Sequence, residues 1–308
     1  MFLGMIGLMI LAGVLQMLLV AVIMTALSAL FSSVIQSREQ VYKLGHPPVN
    51  KGWPVEDIPF RTEHFFFSSA DGLELAAIQY HPNGPPKGVI LACHYLGGSK
   101  QSIFPYIASL LEHGFTVVAF DYPNHGESGS RRSSRYTLEK DMKRFLALLK
   151  KRGIRGPLGA IGFSMGATLA IQAACVEKEI RAVVLDSGPL LYVKNYFLYV
   201  LNNKKITNRL TRVLFMALYL FVIGFFHMSR RTKKRLKRLK GFPLLFIHGE
   251  KDRVIPIQNA RTAYRLSQSE KSRLLSVKRS HHMTNRALLG EDYDKLVVEF
   301  FEKWLTEE

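Results

Sequence analysis

The chain has 308 residues, 48% of them hydrophobic, with two cysteines and a formal net charge of +18. This length and apolar content suffice for one large buried core and exclude a disordered chain or an extended repeat array. Two cysteines exclude a disulfide framework; Cys93 and Cys175 each fall in an apolar stretch and read as buried, space-filling thiols that suit a reducing compartment.

Residues 1–36 carry no charged side chain, a run longer than the roughly 20 residues that cross a bilayer. It lacks the basic start and the small-residue cleavage site of a secretory signal, so it reads as a single-pass membrane anchor. Arg38 and Lys43 follow the span and only the amino terminus precedes it, which places the remainder of the chain in the cytoplasm by the positive-inside rule. Residues 37–61, with Pro47, Pro48, Pro54 and Pro59, read as a linker in which proline prevents helix continuation.

The catalytic domain is expected over residues 62–308. It opens with a hairpin, 63–69 and 73–80, turned at Asp71-Gly72. Apolar runs at 88–95, 115–121, 158–163, 182–186, 243–248 and 273–277 predict strands. The stretches 101–113, 138–151, 165–176, 259–267 and 291–305 predict helices. Such alternation implies an α/β fold with a mostly parallel central sheet covered on both faces.

An insertion at 188–241 breaks this rhythm where a lid would sit over the carboxyl ends of the strands. Between Asp186 and Glu250 there is no acidic residue, and 13 of the excess positive charges lie there. Residues 213–228 are apolar on every side, and residues 230–240 then supply eight Lys and Arg. A second crossing is excluded, because it would put the strand at 243–248 on the far side of the bilayer from strands it must pair with. The segment therefore reads as a helical lid or a segment dipping into the headgroup layer, with anionic lipid as the partner of its basic run. No nucleic-acid module accompanies the cluster, so nucleic acid is not an expected partner.

The chemistry-bearing residues appear in order. Gly162-Phe163-Ser164-Met165-Gly166 lies where a strand gives way to a small-residue helix, the setting of a nucleophile elbow, and Ser164 is the candidate nucleophile. An alcohol needs a neighbouring base, and that base an orienting group. The candidate acid is Asp252, in Gly249-Glu250-Lys251-Asp252-Arg253-Val254-Ile255-Pro256 after a strand, with Asp186 and Glu250 as rivals. The candidate base is His282 in Arg279-Ser280-His281-His282-Met283, with His281 as its rival. The oxyanion formed on acyl attack needs backbone N–H donors, assigned to Met165 and to Leu96 in His94-Tyr95-Leu96-Gly97-Gly98. Gly97-Gly98-Ser99-Lys100 lacks the spacing of a phosphate loop, and no dinucleotide fingerprint or metal-ligand spacing occurs, so neither cofactor nor metal is expected.

On these residues, together with Phe120-Asp121-Tyr122-Pro123-Asn124-His125-Gly126-Glu127-Ser128-Gly129, the chain resembles the α/β-hydrolase superfamily, in its serine esterase, lipase and serine-aminopeptidase-like branch, over about residues 62–305. It departs from the common pattern at Tyr95, where glycine usually follows the histidine, and at Pro123-Asn124 in place of Arg-Gly. The resemblance implies a serine hydrolase acting on an ester, of lipidic or acyl type given the two lipid-facing segments. Peptidase or thioesterase action on the same triad, or a non-catalytic membrane scaffold, are the alternatives.

Overall fold

The structure is a computed structural model, which describes residues 2–131, 138–154, 156–222 and 225–306. Its centre is an eight-stranded sheet in the order β1-β2-β4-β3-β5-β6-β7-β8. β1 (Thr62–Ser68) and β2 (Glu74–Tyr80) form the expected hairpin at one edge. β3 (Gly88–Cys93), β4 (Phe115–Phe120), β5 (Leu158–Phe163), β6 (Ile180–Asp186), β7 (Leu244–Gly249) and β8 (Arg273–Val277) are mutually parallel.

The central strands are near-continuous apolar runs because both sheet faces are covered. Along β3, Val89, Leu91 and Cys93 join one core cluster while Ile90 and Ala92 join the other, the period of two that a strand imposes. One face packs under α3 (Leu138–Lys151), α4 (Met165–Val176) and α8 (Gln258–Ser267). The other packs under α2 (Phe104–Glu112) and α10 (Glu291–Leu305), preceded by the short α9 (Asn285–Leu289). The thiol of Cys93 is sealed in this core and pushed up to about 12 by burial, whereas Cys175 is only half-buried; both are free.

Helix boundaries depart from expectation where local hydrogen bonds compete. α2 starts at Phe104 rather than near residue 101, because Ser99 and Ser102 close a turn on each other: Ser99 N–H donates to Ser102 Oγ at 2.7 Å, and Ser102 N–H to Ser99 O at 3.1 Å. The first helix, α1 (Phe2–Gly45), runs past residue 36 through nine residues read as linker and stops just before His46-Pro47-Pro48, where proline disfavours helical geometry in the preceding residue. Its stretch Gly13–Gln40 is long and apolar enough to cross a membrane.

The insertion holds α5 (Val193–Asn203), α6 (Arg209–Val222) and α7 (Phe225–Arg238); residues 223–224 of its apolar stretch lie outside the described residues. α7 carries most of the basic run. It packs on α4 and α8 through Leu236, while Arg230, Arg231, Lys234, Lys237 and Arg238 stay exposed. α6 packs on α1, where Thr211 Oγ1 donates to Ser33 Oγ at 3.0 Å and Ser37 Oγ donates to the Thr211 carbonyl at 3.3 Å, all three side chains buried.

Candidate active site

Ser164 stands between β5 and α4 with φ 54° and ψ −110°, a conformation an L-residue adopts only when its surroundings impose it. The imposing contacts are backbone. A Cβ on Gly162 would overlap the Gly166 carbonyl, and one on Gly166 would overlap the Cys93 carbonyl, so neither position accepts a larger residue. Ser164 N–H donates to the Asp186 carbonyl at 2.8 Å, which ties the turn to β6. Gly166→Ala therefore drives a methyl into β3; an expected loss of about 1–3 kcal/mol follows from overpacking, readable as a lower denaturant midpoint.

The three side chains singled out in the sequence meet at the carboxyl ends of β5, β7 and β8. Ser164 Oγ lies 2.8 Å from His282 Nε2, and His282 Nδ1 lies 2.7 Å from Asp252 Oδ2. Asp252 fixes the direction of both bonds. Burial pushes its pKa up, but His248, whose Nε2 approaches to 3.4 Å while bonded to the Ile255 carbonyl, and the hydrogen bond from His282 outweigh that and hold it at about 2, so the carboxylate is charged and accepts. Nδ1 then carries the proton, and Nε2 is the acceptor for the serine hydroxyl. The other Asp252 oxygen takes the N–H groups of Val254 and Ile255 at 2.9 and 2.8 Å, so the carboxylate cannot swing away.

The rival residues lie elsewhere. Glu250 and His281 are exposed on the surface. Asp186 is fully buried and committed to a different network: it accepts from Asn285 Nδ2 at 2.7 Å, Tyr293 OH at 2.7 Å and Ser187 Oγ at 2.8 Å. Burial raises its pKa against the lowering effect of these donors. The network still serves the site, because Ser187 Oγ also accepts the Met283 N–H at 3.1 Å and so anchors the loop that carries His282. Ser187, Asn285 and Tyr293 carry no sequence motif; only the fold brings them to Asp186.

Met165 is the first residue of α4, so its N–H has no acceptor within the helix, and Leu96 occupies the loop after β3. That loop is shaped by His94, which is buried and stacked on Tyr122 with ring centroids 3.7 Å apart. Its Nε2 accepts the Tyr122 N–H at 3.1 Å, leaving Nδ1–H to donate to the Tyr95 carbonyl at 2.8 Å. Burial holds the ring well below the usual imidazole range, consistent with this neutral form.

Beneath the loop lies an ion cluster that the sequence reading missed. Lys100, wholly buried, directs Nζ to Asp121 Oδ2 at 2.9 Å and to Glu127 Oε2 at 2.6 Å. Asp121 also accepts the Lys100 N–H at 2.5 Å and the Glu127 N–H at 2.9 Å. Gly126 is obligatory here, since a Cβ would overlap the Asp121 carboxylate. Among the described residues no group of three or more His, Cys, Asp or Glu has metal-binding geometry.

An imidazole that accepts from a serine hydroxyl and donates to a buried carboxylate can take the hydroxyl proton as the oxygen attacks an acyl carbon. Comparisons with known proteins agree with the architecture. A family model for the alpha/beta hydrolase fold matches residues 88–201. The Bacillus subtilis protein YqkD, itself uncharacterized, is 26% identical over 266 residues, 77% of this chain and 78% of its own. Among solved structures, the Pyrococcus furiosus esterase Pf2001 superposes with a TM-score of 0.69 at 23% identity, covering 84% of this chain and 97% of the esterase. The monoacylglycerol lipase of Paleococcus ferrophilus does so with a TM-score of 0.55 at 20% identity, covering 78% and 98%.

Proposed function

We propose that this chain, which has the α/β-hydrolase fold, is a membrane-anchored serine hydrolase that cleaves a carboxylic ester with a lipidic acyl group. The observation that carries the reading is the chain of hydrogen bonds from Ser164 through His282 to Asp252, at 2.8 and 2.7 Å, on a strained elbow. Ser164 Oγ attacks the acyl carbon while His282 Nε2 takes its proton, and Asp252 holds the imidazole and stabilises the imidazolium. The N–H groups of Leu96 and Met165 take the negative charge that develops on the acyl oxygen. His282 then returns the proton to the leaving alcohol, and water releases the acyl group by the reverse sequence.

A lipidic substrate is favoured by what surrounds the site. α5 and α6 pack Phe197, Leu201 and Phe215 into one apolar cluster with Ile255, three residues beyond Asp252, and we take that cluster as the apolar roof of the site. α1 supplies a helix able to hold that roof at a bilayer, with the hydrolase domain on the cytoplasmic side, and the exposed basic face of α7 suits anionic headgroups. The esterase and lipase among the structural neighbours act in the same direction.

The test is a substrate panel on the full chain reconstituted in vesicles: p-nitrophenyl esters of graded length, a monoacylglycerol, an acyl thioester and an aminoacyl anilide. Long-chain esters should turn over with the highest kcat/KM, and by about tenfold or more over the acetyl ester, since each buried methylene contributes about 0.8 kcal/mol. A faster thioester or anilide would replace the ester assignment. Vesicles with anionic lipid should raise the rate on a vesicle-borne ester, and neutralising Arg230, Lys234 and Lys237 should abolish that gain; a gain that survives sinks the role given to α7.

A further inference from the structure

The segment between α1 and the domain does not hang free. It lies across the loop that carries Leu96. Asn50 N–H donates to the Gly97 carbonyl at 2.7 Å, and Asn50 Nδ2 donates to the Tyr95 hydroxyl at 3.0 Å. The Ser99 hydroxyl donates to the Lys51 carbonyl at 2.9 Å. Contact is close enough to dictate residue type. A Cβ on Gly97, where φ is +78°, would lie 3.1 Å from the Pro48 carbonyl, and one on Gly52, where φ is +79°, would overlap the Gln101–Ser102 backbone. Just beyond, the Trp53 and Phe104 rings pack with centroids 5.6 Å apart.

These contacts bracket one peptide. Tyr95, before Leu96, is held from inside by His94 Nδ1–H and Gly98 N–H on its carbonyl, at 2.8 and 3.0 Å, and from outside by Asn50 on its hydroxyl. Gly97, after Leu96, has its carbonyl held by the Asn50 N–H. The Leu96 N–H itself makes no hydrogen bond within the protein among the described residues. A donor that must meet charge in a transition state gains from being fixed beforehand, because reorganising it during reaction costs rate rather than binding.

We propose that residues 47–53 form a strap that positions the Leu96 N–H, with Asn50 and Tyr95 as its positioning residues. The inference rests on the hydrolase reading for its catalytic consequence, though the bracing is a property of the fold. It gives Tyr95, the departure from the common glycine, a role: its hydroxyl reaches outward to the strap rather than into the acyl site. It also means that a fragment beginning near residue 55 lacks part of the apparatus that orients the oxyanion donor.

The experiment uses the full chain in detergent micelles, with Gly52→Val to lift the strap, and Tyr95→Phe and Asn50→Ala, singly and together, to cut the side-chain bond. Measured are kcat and KM on a p-nitrophenyl ester, the rate of labelling by a fluorophosphonate, and amide exchange of residues 96–98 by mass spectrometry. Gly52→Val should lower kcat by about 10²-fold, the size of a lost oxyanion donor, with KM changed less than about threefold, the signature of an interaction made in the transition state. Exchange at 96–98 should quicken. Tyr95→Phe should cost roughly fivefold in kcat, the size of one net hydrogen bond; Asn50→Ala, which also frees the Gly52 N–H that donates to Asn50 Oδ1 at 2.9 Å, should cost at least as much, and the double variant should fall short of the product of the two. An unchanged kcat in Gly52→Val while residues 47–53 exchange freely overturns the proposal, as does a lowered kcat with exchange at 96–98 unaltered. Should Gly52→Val fail to fold, full additivity of Tyr95→Phe and Asn50→Ala overturns it equally. If the wild-type chain shows no Ser164-dependent labelling, the hydrolase reading fails, and the exchange comparison still decides whether the strap holds the loop.

Discussion

On the proposed serine-hydrolase mechanism, Ser164→Ala should abolish covalent labelling by a fluorophosphonate and lower kcat by about 10⁶-fold, and His282→Ala should do the same within an order of magnitude. The two act as one unit, so the double variant should be no worse than either single change. Ser164 Oγ, the proposed attacking oxygen, and His282 Nε2, the proposed proton acceptor, are 2.8 Å apart, and removing either would leave the other without a task. Asp252→Asn should cost about 10⁴-fold, because an amide can donate to His282 Nδ1 and would turn the imidazole to the wrong tautomer. His281→Ala, altering an exposed side chain next door, should leave the rate within about twofold, as surface changes do. Labelling that persists in Ser164→Ala would falsify the assignment of the nucleophile. Acid acts on the same group through folding: Asp252 has its carboxyl lowered from 3.8 to about 2, so the stability it contributes is fully present above about pH 4 and is lost as pH falls towards 2.

The second large effect concerns stability. Lys100→Met should destabilise the fold by about 3–5 kcal/mol, the cost of leaving a buried carboxylate without its counter-ion. Asp121 has no exposure to water and would retain only the Lys100 and Glu127 N–H donors, whereas Glu127 is half-exposed and can turn outward. Replacing both charges, Lys100→Met with Asp121→Leu, should cost less than the sum of the single changes, because a buried pair stabilises little relative to a well-packed apolar substitute. Urea unfolding of the four chains checks this. A Lys100→Met midpoint equal to wild type would mean that the ammonium is not needed inside.

The sheet and the three side chains that meet at its carboxyl end, Ser164, His282 and Asp252, were legible in the sequence for physical reasons that do not extend to the rest. β3, β5 and β7 are legible because burial on both faces demands unbroken apolar runs, and the Ser164 elbow because only glycine fits the backbone contacts on either side. Asp252 and His282 follow strands and so were placed at the same end of the sheet as Ser164. Lys100 was invisible: its partners lie 21 and 27 residues on, and no local period reports a pairing across a helix and a strand. The buried role of Asp186 was hidden for the same reason, since Asn285 and Tyr293 lie about a hundred residues away. The helical extension of α1 over residues 37–45 was missed because polarity was read as the end of the helix, when the first residue that disfavours helix is the one before Pro47.

That extension sets a distance. A helix of 44 residues is about 66 Å long at 1.5 Å per residue, roughly twice the 30 Å of a hydrocarbon core. Ser33 and Ser37, in the C-terminal part of the stretch able to cross a membrane, are locked to Thr211 of α6, so α1 meets the domain as a rigid post and not as a tether. Under the membrane-anchored reading proposed above, the hydrolase domain would be held at one height and one tilt over the lipid surface, and diffusion in the plane of the membrane would carry the site past successive lipids in a constant orientation.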